Sequence, residues 1–135
     1  MAGTGQLSHI WTTSVKNDTG GNVVADTRTI IGSNEFNELI TIGAGLTAEI
    51  DCGSLAFAKM TSLFLTSDVA VNVFTNAADG TGGQVIALAA KVAYGWNNKE
   101  PTTNPITANI TKIFVTNPGA TTATFRCGFL LNLLV

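Results

Sequence analysis

Few residues in this chain have the types and spacing that chemistry requires. His9 is the single histidine, and nucleophilic catalysis needs such a base beside a nucleophile. It sits in a run where Leu7, His9, Trp11, Thr13 and Val15 alternate with Ser8, Ile10, Thr12 and Ser14. That period of two describes a strand, and a histidine beside Trp11 there reads as a packed or interface residue. Cys52 and Cys127 have no neighbouring ligand cluster of the kind metals need, and they read as buried, reduced thiols, with a bridge as the alternative. Glu49 and Asp51 share a strand face, as a glycosidase pair would, but two outward charges on a half-buried strand explain them equally. Asp79, in Asn76-Ala-Ala-Asp-Gly80, offers one calcium ligand among too few carboxylates, so a turn is expected. Gly43-Ala-Gly45 and Gly80-Thr-Gly-Gly83 lack the helix and lysine of a phosphate loop. Tyr94, Trp96 and Asn97-Asn98-Lys99 have the makings of an aromatic sugar platform, although aromatics at a strand end more often close a core or meet a subunit. No catalytic, cofactor or metal residue stands out, and the expectation is a protein that is not an enzyme.

Composition narrows the partners. Charged residues are only 12% of the chain against 45% hydrophobic, and Thr, Asn, Ser and Gly fill the polar positions. A surface so poor in charge suits a protein partly covered by partners, because free monomers stay soluble by carrying both signs. The net charge is −2, with seven Lys and Arg residues scattered singly. Nucleic-acid binding needs a concentrated basic footprint, and electrostatic membrane attachment needs the same, so neither is expected. The start lacks a basic n-region and an apolar h-region, and no run reaches the roughly 18 apolar residues of a membrane span. Synthesis inside a cell is expected, which makes the Asn17 and Asn109 sequons chance matches.

The elements that must position these residues are strands. Residues 58–74 repeat in degenerate form at 108–124: Phe64/Phe114, Thr66/Thr116 and Ala70/Ala120 fall in step, and Leu63/Ile113 and Leu65/Val115 match in kind. Each copy is an apolar run, a tight turn and a second β-branched run, which predicts a β-hairpin written twice. Runs at 7–15, 22–31, 36–42, 46–52, 84–90 and 92–96 supply further strands, with one helical turn allowed in 53–58. Short strands with turn chemistry between them predict an all-β, two-sheet β-sandwich of jelly-roll type; an immunoglobulin-like sandwich and a closed barrel follow. One domain spans 7–135, preceded by a flexible arm at 1–6. Alternation places Leu63, Leu65, Val71, Val73, Ile113, Val115, Phe125 and Phe129 in the core. Phe64 and Phe114 then share the opposite face, which calls for another layer or a subunit.

Ile40-Thr-Ile-Gly-Ala-Gly45, the stretch Lys59 to Phe74, Ile86 to Trp96 and Ile110 to Gly119 give the chain a pattern that resembles the small β-sandwich virion proteins of tailed bacteriophages. The resemblance implies a structural role in the particle, most directly as a capsid decoration (cement) protein that bridges capsid subunits, often as a trimer. Its location would be the virion, after synthesis in the host bacterial cytoplasm. A tail or head–tail position fits the same pattern, and a carbohydrate or host-surface binding module is the competing class. Contacts with sister subunits or the major capsid protein are expected at His9, Trp11, Phe64, Phe114, Tyr94, Trp96, Leu134 and Val135.

Overall fold

A computed structural model describes residues 7–16, 19 and 22–134; the arm expected at 1–6 and the contact expected at Val135 lie outside the described residues. The described residues form ten strands: β1 (Leu7–Lys16), β2 (Asn22–Gly32), β3 (Asn34–Ile42), β4 (Thr47–Leu55), β5 (Met60–Ser67), β6 (Val71–Thr75), β7 (Val85–Leu88), β8 (Tyr94–Asn97), β9 (Ile110–Thr116) and β10 (Ala123–Leu131). A single 3-10 turn, Phe57–Lys59, precedes β5. Eight strands make two antiparallel sheets in the orders β3-β10-β5-β8 and β4-β9-β6-β7, and β1 and β2 form a separate two-stranded ribbon. The molecule is an all-β sandwich with a third, partial layer.

Period-two alternation builds the core, since successive strand side chains point to opposite faces. In β6, Val71, Val73 and Thr75 are buried while Asn72 and Phe74 are half-exposed. All eight residues expected in the core are at most 2% exposed. Leu63, Leu65, Phe125 and Phe129 come from the first sheet, Val71, Val73, Ile113 and Val115 from the second. Phe36 adds a ring tilted against Phe129 with centroids 6.4 Å apart.

The repeated unit is an arch rather than a hairpin. β5 belongs to the first sheet and β6 to the second, while β9 belongs to the second and β10 to the first. Each repeat therefore crosses the core, and its strands pair with the other repeat: β5 with β10, β6 with β9. Both strands of each copy are buried on one face, and facing two sheets across a core satisfies that pattern as well as pairing edge to edge. The two turns differ in length, residues 68–70 in one arch and 117–122 in the other. Val73 pairs with Val115 and Cys127 with Leu65, so the match seen at Ala70/Ala120 does not carry into the second strands. Phe64 and Phe114 both face away from the core, but on different sheets, so they occupy opposite sides of the molecule rather than one shared face.

The longer turn is held by Asn117, which is fully buried. Its side-chain amide donates to the Ile42 and Thr121 carbonyls at 3.0 and 2.7 Å, and its Oδ1 accepts from the Gly119 N–H at 3.0 Å. The shorter turn uses Asp68, whose carboxylate accepts from the Thr124 N–H at 2.7 Å.

Candidate functional site

The outer face of the first sheet brings polar and aromatic side chains together beneath the ribbon. Cross-strand register lays that face out in rows. One row runs Glu35, Leu130, Ser62, Asn97; the next runs Asn37, Gly128, Phe64, Gly95; the third runs Leu39, Arg126, Thr66. The β1–β2 ribbon lies over the first row. Ile30 of β2 is 1% exposed there. The Thr61 hydroxyl donates to the Ile31 carbonyl at 3.0 Å, and the Arg28 guanidinium to the Lys99 carbonyl at 3.0 Å.

β1 crosses the sheet from the β3 side to the β8 side, and its inward residues carry the contact. The His9 ring lies 2.6 Å from the Glu35 carboxylate through Nε2 and 2.7 Å from Ser62 Oγ through Nδ1. The Trp11 indole N–H donates to the same Ser62 oxygen at 2.8 Å. A carboxylate can only accept, so His9 Nε2 donates to Glu35, and Ser62 Oγ, which accepts from the indole N–H, keeps its own proton free to meet Nδ1. The chain Trp11 to Ser62 to His9 to Glu35 satisfies each polar group in turn. Two glycines make it possible: a Cβ on Gly95 would stand 2.4 Å from the Trp11 ring, and one on Gly128 2.3 Å from the Phe64 ring.

Serine, histidine and a carboxylate in one chain are the residue types of a nucleophile relay. Here the serine is 0% exposed beneath the ribbon, and its oxygen is capped by the indole. What the trio does in this geometry is fasten the ribbon to the sheet. Sequence reading gave His9 and Trp11 as contact residues but did not find Ser62 or Glu35. Ser62 is an unremarked residue in a β-rich run, and only the fold places it under His9.

The remaining expected contacts scatter. Phe64 joins His9, with ring centroids 6.0 Å apart. Phe114 lies half-buried on the outer face of the second sheet, paired with Phe74. Tyr94 and Trp96 pair with the inward Leu65 and Leu63 and pack on the core, and the Trp96 N–H donates to the Thr102 carbonyl at 2.8 Å. Leu134 is 76% exposed. Cys52 and Cys127 are free and buried, one from each sheet. Burial pushes both thiols up to about 12, aided at Cys52 by the Asp51 and Glu38 charges and at Cys127 by the charge Cys52 would carry. Asp79 caps its own turn, accepting from the Thr81 N–H at 3.0 Å, which lowers its carboxyl below the usual range. Among the described residues no group of three or more His, Cys, Asp or Glu is placed to hold a metal, and no helix is long and apolar enough to cross a membrane.

No family model matches the chain, and no curated protein sequence matches it. Among solved structures it is similar to a de novo designed double-stranded β-helix determined by solution NMR. That likeness has a TM-score of 0.42 and 14% identity, over 70% of this chain and 97% of the other.

Proposed function

We propose that this chain is a structural protein that docks on other protein subunits, and specifically a capsid decoration (cement) protein of a tailed bacteriophage. The observation that carries this reading is an end of the molecule at which large apolar side chains are exposed among the described residues. Leu7, Ile31, Leu133 and Leu134 are 40%, 49%, 49% and 76% exposed. They gather around Gly32 and Ser33: Leu7 pairs with Gly32, and the Leu133 N–H donates to Ser33 Oγ at 2.8 Å. Apolar side chains exposed close together at one end of a molecule are the kind of surface a protein contact covers. A charge content of 12% points the same way. In this reading the patch joins copies into a homo-oligomer, a trimer by preference, which binds the major capsid protein or another virion protein. Location in the virion follows from it, after synthesis in the host cytoplasm. A tail or head–tail place uses the same chemistry. The sugar-binding reading has less support, because Tyr94 and Trp96 spend their rings on the core.

The test is sedimentation velocity together with co-sedimentation on empty phage heads. The unmodified chain should form oligomers and bind heads; a Leu133→Asp, Leu134→Asp variant should be monomeric and bind at least about tenfold less, given the ~1.5–3 kcal/mol each buried leucine contributes. A monomeric unmodified chain without affinity for heads overturns the reading.

A further inference from the structure

The ribbon leaves part of the sheet face beneath it uncovered, at the rows of Phe64 and Thr66. Among the described residues β1 pairs with β2 on one edge and with no other strand on the second. That free edge looks onto the rows of Phe64 and Thr66. Residues 8–12 of β1 form one wall of a groove of about 550 Å³, with Phe64, Thr66 and Ala93 opposite. Past Phe64 the groove continues as a cavity of about 460 Å³ bordered by His9, Glu35, Asn37, Glu38, Leu39 and Arg126. Five consecutive residues lining one wall means that backbone as well as side chains faces the space, because alternate side chains of a strand point to opposite faces.

We propose that this groove receives an extended segment of another polypeptide, which pairs with β1 as a third strand of the outer layer. Three features select that occupant. An open strand edge presents unpaired N–H and C=O groups, and the ligand that satisfies a row of them is another strand. The floor continues an interface already formed, since the ribbon packs on this same face, with Trp11 seated on Gly95 in the row of Phe64. The floor also extends beyond β1, so a folded second copy pairing its own β1 here would have its first sheet where this copy's sheet already lies. Only an arm free of its own domain fits. The wall and floor at Ser8, Thr12, Phe64, Thr66 and Ala93 are uncharged, so the part of the inserted segment over them carries small or β-branched uncharged side chains on its lower face, while Glu35, Glu38 and Arg126 border the continuation.

This inference extends the proposed docking role by naming the form the partner takes, and it is tested separately from the virion assignment. The probe is a fluorescein-labelled ten-residue peptide of alternating valine and threonine, and the control is the same peptide methylated at every backbone amide. Fluorescence anisotropy with the full chain should show saturable binding of the first and at least about tenfold weaker binding of the second, because the methylated peptide loses the strand hydrogen bonds. Thr66→Arg, which fills the groove from an outward position, should weaken binding by a similar factor. Hydrogen exchange on the unmodified chain guards against a variant that fails to fold: amides within residues 8–12 should slow on adding peptide while those of β10 stay unchanged. Equal binding of both peptides, no binding at the solubility limit, or protection confined to other strands overturns the proposal. Peptide binding without head binding would keep the groove and remove the virion reading; head binding without peptide binding would do the reverse.

Discussion

Ser62 and Ser67 lie on the same strand and have opposite fates. Ser62 faces the ribbon and joins two partners; Ser67 faces the core, 3% exposed, and its hydroxyl has no hydrogen-bond partner. A buried hydroxyl without a partner costs about 1–3 kcal/mol in desolvation. Ser67→Ala should therefore stabilise the chain by roughly 0.5–2 kcal/mol, read as a higher urea midpoint at unchanged slope. The Ser62 position should respond in the other direction. Ser62→Ala leaves the Trp11 N–H and His9 Nδ1 unpaired and should lower stability by about 1–3 kcal/mol. The accompanying sign is faster hydrogen exchange in β1 than in β10, because the ribbon loosens before the sandwich opens. Equal acceleration in both strands would show that the relay holds the whole fold rather than the ribbon.

Among the elements, the arches decide the topology, and their turns carry that decision. Asn117 links three backbone groups from inside the protein. Its neighbourhood also joins the sheets: the Gly45 N–H donates to the Asn117 carbonyl at 2.8 Å, and the Asn117 N–H to the Leu46 carbonyl at 2.9 Å. Asn117→Ala keeps the backbone pairs and strands the side-chain ones, so thermal denaturation should show a loss of about 2–4 kcal/mol. Asn117→Asp keeps the acceptor for Gly119 but sets a second buried oxygen against the Ile42 and Thr121 carbonyls, so it should be no more stable than Asn117→Ala. A loss under about 0.5 kcal/mol for Asn117→Ala, the range of ordinary surface changes, would mean that Pro118 and Gly119 set the turn alone.

For the whole molecule, the two thiols report on the core. Each folded thiol keeps its proton up to about 12, whereas an unfolded thiol loses it near 9. Between those values the unfolded chain binds fewer protons, so stability falls as pH rises. Below pH 9 the contribution is fully present. Denaturant titrations from pH 8 to 11 should show this alkaline decline, and Cys52→Ala with Cys127→Ala should flatten it from a lower starting stability. Thiol-reactive dyes should label the native chain only at the rate of global opening, since both groups lie between the sheets.

Much of the fold was legible in residue order. Alternation marks inward positions with a period of two, and it identified Leu63, Val73, Ile113 and Phe125 without any knowledge of partners. The same signal says only that a face is buried, not what buries it. That is why the doubled motif read as two hairpins: a strand, turn and strand with one apolar face fits pairing within a sheet or facing across a core. The choice rests on which strands come from far along the chain to pair, as β10 does with both β3 and β5. Trp11 and His9 declared themselves as contact residues by type, and Phe64 as an outward aromatic. Their common site did not, because Ser62, Glu35 and Gly95 are ordinary residues on three different strands. The sequence by itself determined the strand content, the inward residues and the scarcity of charge, all local properties. Only the tertiary structure decided the arches, the ribbon over one sheet and the open edge beside Phe64, because each depends on contacts between segments distant in sequence, and no local pattern encodes which distant segment arrives.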